Sequence, residues 1–163
     1  MQTKGLDAEI QAMSKLAEKA GEIAGQALYK GAGIMADEYR RAVEGMPTEP
    51  NRYVAPGDPP RHATTAEKNA IAGAIGIARY RRTDDDVNTS IGVGTAGYAT
   101  NLKTKKYPNG KPIPLIANGI NSGSSFIIKY PFARKAEAAG KAKALAALEQ
   151  EANKLIDEVT KNG

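Results

Sequence analysis

GINSGSSFIIKYPFARKA, Gly119 to Ala136, runs from glycine and serine through an apolar segment into a Pro-Phe pair, and the pattern that begins at this pair decides the fold. From Pro131 onward the positions Phe132, Ala136, Ala139, Leu145, Leu148, Ala152, Leu155 or Ile156, and Val159 recur at helical spacing, so the spacing predicts a long C-terminal helix. Pro131 suits its first turn, where the missing amide would have had no partner anyway. Burying Leu145, Leu148, Leu155, Ile156 and Val159 is expected to contribute about 8 to 15 kcal/mol before entropy is charged. On the other side of the stretch, Ile113 to Ile120 is a short apolar run that reads equally as helix turn or strand.

Farther out, Leu6, Ile10, Met13, Leu16 or Ala17, Ala20, Ile23 or Ala24, Ala27 or Leu28, and Ile34 or Met35 form one helical stripe. A helix unbroken to Val43 would be roughly 55 Å long, more than a domain of this size covers by itself, so part of it is expected against a partner. Gly21, Gly25, Gly31 and Gly33 each cost it about 1 kcal/mol relative to alanine, and a bend near Gly31 is expected ahead of a close backbone contact there. Gly45 to Ala63 holds five of the nine prolines and reads as a long extended loop with few internal contacts, ordered by partners and protease-sensitive without them. Thr64 or Thr65 caps a short helix to about Ala72, with Glu67 in its first turn.

Between Ile75 and Gly94 the apolar residues alternate, Ile75 and Ile77, then Val87, Ile91 and Val93, which predicts a hairpin turning at Thr83 to Asp86. Asp84, Asp85 and Asp86 read as a solvated turn, not a cation site. Residues 95–112 read as a projecting loop with a Pro-Asn-Gly turn at Pro108 to Gly110, carrying Lys103, Lys105, Lys106 and Lys111 without neighbouring acids. The expected fold is α+β, a single domain over residues 1–163 whose first and last helices pack on a small antiparallel sheet.

Composition narrows the function. With no Cys and one histidine, His62, the chain offers no thiolate metal site, no disulfide framework and no multi-histidine site, and it carries no phosphate-loop or dinucleotide glycine motif. An enzyme is not expected, and no cofactor or metal. The opening MQTKGLDAEIQAM has charges where a signal peptide needs an apolar run, and no apolar stretch of about 18 residues occurs, so neither export nor membrane contact is expected. The net charge of +5 permits contact with nucleic acid or an acidic protein surface.

The whole order, from KGLDAEI through the proline-rich loop, capped helix, hairpin and lysine loop to the Gly-Ser joint and the Pro-Phe-x-Arg helix start, resembles the neck and tail-component family of long-tailed bacteriophages. These are head-tail joining or tail completion proteins of the gene-product-ten type. The most specific part is Leu115 to Ile120, then Gly123-Ser124-Ser125, then Pro131-Phe132-Ala133-Arg134. The chain departs from the family pattern at Gly119, Ile120 and Asn121, at Lys135, and at Ala63-Thr64-Thr65, where the family usually has other residues.

The resemblance implies a non-enzymatic virion protein, assembled in the bacterial host cytoplasm into a homo-oligomeric ring of six-fold or twelve-fold symmetry. Its neighbours would be connector, tail terminator and tail-tube proteins. Gly123, Phe126, Ile127, Ile128, Tyr130, Phe132 and Arg134 would then meet a neighbouring subunit, with Phe126 to Tyr130 either an extended arm covered by that neighbour or a strand in the subunit's own sheet, while Lys103, Lys105, Lys106 and Lys111 would face DNA in the channel or an acidic ring. A tail terminator protein and a stand-alone basic nucleic-acid-binding module are the alternatives. The second lacks aromatic residues in the lysine loop beyond Tyr98 and Tyr107.

Overall fold

The computed structural model describes residues 4–79, 81–82, 87–89, 91–93 and 97–161. The fold is α+β, with long first and last helices packed together and strands confined to short two-stranded ladders. Helix α1 spans Lys4–Glu44, α2 Thr65–Ala74, α3 Ile113–Ser122 and α4 Phe132–Lys161. The undecided run before the joint is therefore helical, with Pro114 in the first turn of α3, where a proline costs no hydrogen bond.

Contacts gather the chain into two units, one of Met1–Ile34, Ile77–Ser90 and Ala142–Gly163, the other of Met35–Gly76 and Ile91–Lys141. In the first unit α1 and α4 approach closely at Gly31. A Cβ built there would stand 3.0 Å from the Ala144 carbonyl oxygen and 3.4 Å from Leu148 Cβ. The helix runs on through Gly31, so the glycine serves a close backbone contact and the expected bend is replaced by packing. In the second unit Gly140 of α4 plays the same part against α1, where a Cβ would meet Met35 Sδ at 2.7 Å.

These contacts change which face of α4 is buried. Its covered row is Phe132, Ala136, Gly140 and Ala144, spaced four apart, while Leu145 is 51% exposed and Leu148, Leu155, Ile156 and Val159 are only half-buried. The expected leucine stripe is thus corrected to a row of mostly small residues: where two helix backbones come close there is no room for large side chains between them.

Strand β1 (Ile75–Ile77) pairs with β4 (Ile91–Val93), and β2 (Arg81–Arg82) pairs antiparallel with β3 (Val87–Asn88), Arg81 opposite Asn88 and Arg82 opposite Val87. This is the hairpin that the alternation predicts; its turn, Thr83 to Asp86 with Asp84, Asp85 and Asp86, lies outside the described residues. The lysine segment is itself a hairpin, β5 (Tyr98–Ala99) against β6 (Lys111–Pro112), and not an irregular loop. Helix α3 packs on α2 and on strands β4 and β6.

Gly110 closes the lysine hairpin at φ +109, and a Cβ there would stand 2.6 Å from the Ala99 carbonyl oxygen and 2.8 Å from its carbon. Both obstacles are backbone and cannot swing aside. Gly110→Ala is expected to destabilise the chain by about 2 kcal/mol; a thermal midpoint equal to that of the parent would show that the hairpin tolerates the side chain.

Candidate functional site

The second unit brings together three segments that are far apart in sequence: the proline-rich loop, the lysine hairpin and the joint after α3. The pivot is Arg61. Its amide donates to the Phe126 carbonyl at 3.0 Å, and its own carbonyl accepts from the Ile128 amide at 2.8 Å, so Phe126 to Ile128 is held against the chain's own loop in a parallel bridge at Ile127. Phe126 to Ile128 is therefore docked within the subunit, by the loop and not as a strand of a sheet.

The Arg61 side chain turns the other way. Its Nη1 and Nη2 each donate to a Glu67 carboxylate oxygen at 2.8 Å, and Nη1 also donates to the His62 carbonyl. Glu67 completes a capping box at the start of α2: the Thr64 amide donates to Oε2 at 2.9 Å, the Thr64 hydroxyl donates to it at 3.2 Å, and the Glu67 amide donates back to Thr64 Oγ1. The pair is enclosed, with side chains 12% and 4% exposed. Burial pushes the Glu67 carboxyl up, but the Arg61 fork, the Thr64 amide and the charges of Arg61 and Lys111 outweigh it and hold it below the ordinary carboxylate range.

The proline-rich loop is not poor in contacts, contrary to the reading of its composition. Thr48 bridges Ala63, and Arg52 donates to Glu49 and to the carbonyls of Pro59 and Pro60. Asp58 accepts from the Ala55 amide, and Met46, Val54 and Ala63 are buried. One guanidinium thus staples the loop across its span. Arg52→Ala is expected to speed chymotryptic cleavage after the exposed Tyr53 by about tenfold, the equivalent of ~1.4 kcal/mol of local stability; an unchanged cleavage rate would mean that the prolines alone hold the loop.

After α3 the chain turns at Gly123, φ +78, where a Cβ would lie 2.8 Å from Lys129 Cβ. It returns at Tyr130, whose amide donates to the Ile120 carbonyl at 2.8 Å and whose ring sits 4.1 Å from the Lys135 ammonium. The start of α4 is capped from α3, Asn121 Oδ1 accepting from the Ala133 amide. Phe132 is 3% exposed, within the subunit's own core. Ile127 and Tyr130 are half-buried, whereas Phe126, Ile128 and Arg134 remain exposed.

Between these segments lies an open groove of about 530 Å³. Lys106, Tyr107 and Lys111 of the lysine hairpin face it, with Arg52, Tyr53 and Arg61 of the loop, and Leu115 of α3 beside Phe126 and Ile127 of the joint. Among the described residues no carboxylate lines it. The Lys106 ammonium stands 5.6 Å from the Tyr107 ring centre. Lys103 and Lys105 are exposed and do not line the groove, so the four lysines that the sequence groups together divide into two pairs. Tyr53 and Phe126 supply the aromatic surface that the lysine segment lacks by itself; no local signal in the sequence connects them.

The cleft in the first unit, about 560 Å³, is lined by Lys15 and Lys19 with Glu22 and Glu158, so its charges offset one another. Among the described residues no helix is long and apolar enough to cross a membrane. Comparison with known proteins gives no match to this chain, whether by family model, curated protein or solved structure.

Proposed function

We propose that the chain is a structural protein of a tailed bacteriophage, one subunit of a ring in the neck that joins the head to the tail tube. The observation that carries this reading is the first part of α1. There Ile10 is 56% exposed and Met13 74%, although both belong to the same apolar stripe that is buried farther along at Ile23 and Ala27. An apolar helix face left open by its own chain is stabilised by a neighbour, and in a ring that neighbour is a second copy. The likeness of the joint, Leu115 to Arg134, to the family's pattern gives the reading its particular place in the virion. Lys103 and Lys105, exposed at the hairpin tip, suit unspecific attraction to DNA phosphates in a channel.

The test is made on particles produced by the genome that encodes the chain. Immunogold labelling is expected at the head-tail junction, and the double variant Ile10→Asp with Met13→Asp is expected to stay a folded subunit that no longer enters particles. Particles that lack the protein, or that incorporate the variant as readily as the parent, would overturn the reading.

A further inference from the structure

We infer that the groove of the second unit binds a single strand of nucleic acid, with bases stacked on Tyr53 and Phe126 and phosphates held by Lys106 and Lys111. This ligand does not depend on the neck reading. Tyr53 is 85% exposed and Phe126 48%, so neither ring serves the core, yet both border one groove in a chain with only 6% aromatic residues.

The cations around it are not equivalent. Arg52 is committed to Glu49 and two carbonyls, and Arg61 to Glu67, which leaves the exposed Lys106 first and then Lys111, half-buried and also acting on Glu67, to meet a ligand's charge. Among the described residues no carboxylate lines the walls, and Glu49 and Glu67 behind them are paired with Arg52 and Arg61, so an anion entering the groove meets little repulsion. A flat ring next to a fixed positive charge matches a nucleotide, which presents a base face and a phosphate at every step.

Two other polyanions fit less well. A duplex keeps the faces of its bases inside its own stack, so the exposed rings would gain nothing from it. An acidic peptide carries its charge on flexible side chains, gains little from exposed ammonium groups, and leaves the rings uncovered.

The experiment is fluorescence anisotropy of the full chain with a labelled oligothymidylate, between about 50 mM and about 200 mM salt. Binding is expected to weaken as salt rises. Tyr53→Ala and Phe126→Ala are each expected to lower affinity about tenfold. Lys106→Gln combined with Lys111→Gln should flatten the slope of log affinity against log salt by about 1.4, the share of two phosphate contacts on a single strand. Lys30→Gln combined with Lys141→Gln, two exposed lysines that do not line the groove, serves as the matched control and should leave the slope in place. Because Tyr53 stands in solvent, its variant keeps the fold, and far-UV circular dichroism checks the others. No binding at the lowest salt, equal affinity for a duplex of the same length, displacement by a polyglutamate peptide, or ring variants that bind like the parent would each overturn the assignment.

Discussion

Arg61→Ala is expected to cost about 3 to 5 kcal/mol of stability, among the largest effects of any single substitution in the chain. The reason is what the change leaves behind. Glu67, 4% exposed, would keep its bonds to Thr64 but lose both guanidinium contacts, so a carboxylate would stay enclosed with no ion pair and only the Lys111 charge acting on it. Arg61→Lys keeps a charge but not the two-pronged geometry and should recover only part of the loss. The double variant Arg61→Met with Glu67→Leu should recover most of it, because removing both charges removes the desolvation cost along with the attraction. If urea unfolding gave Arg61→Ala the stability of the parent, the buried pair would contribute nothing to the fold.

The same pair sets a pH dependence with a definite sign. The folded Glu67 carboxyl lies below its ordinary value of 4.5, so the folded state binds its proton less readily than the unfolded chain does. The stabilisation is fully present above that ordinary value and is lost as pH falls through the lowered folded value. In Arg61→Ala the main group holding the carboxyl down is gone while burial still pushes it up and only the Thr64 amide and the Lys111 charge oppose it, so this acid-side loss should shrink. Unfolding midpoints of the two proteins measured from neutral pH down into the acid range would therefore converge. Parallel curves would show that Glu67 does not titrate as its surroundings require.

The α2 cap is legible in the sequence, because Thr64 and Glu67 are three residues apart and the chemistry of a capping box is local. Arg61 is not, because its main-chain partners Phe126 and Ile128 come from a distant segment and no periodicity connects them. Gly31 shows the same limit in another form. A glycine in a helix lowers local stability by the same amount whether it bends the helix or admits a neighbour, and only the position of Ala144 decides between the two. On α4 the helical period is visible, but hydrophobicity alone points to the largest apolar residues as the buried face. Close approach of two backbones reverses that preference: the covered row keeps Phe132 and Ala136 as expected, but continues through Gly140 and Ala144 in place of the leucines. The lysine cluster is plain as a cluster; its division into Lys106 and Lys111 on the groove and Lys103 and Lys105 off it depends on where Tyr53 and Phe126 arrive.

The two phenylalanines of the chain are expected to respond to the same substitution in opposite ways. Phe132 opens α4 at 3% exposure, ahead of Ala136 and Gly140 on the covered row, so Phe132→Ala removes a fully enclosed ring. The expected loss is about 3 to 5 kcal/mol. For a chain of this size that is a fall in Tm of roughly 10 °C, at about 2 to 4 °C per kcal/mol. Phe126, 48% exposed on the joint, loses little burial in Phe126→Ala and should melt within about 0.5 kcal/mol of the parent. Its defect should lie in the affinity of the groove. Thermal denaturation and oligonucleotide binding of the two variants, measured side by side, therefore give a crossed result: one protein destabilised, the other stable but weak in binding. If both melted together, the joint would be a single packed element, and the separation of a core phenylalanine from a surface one would be wrong.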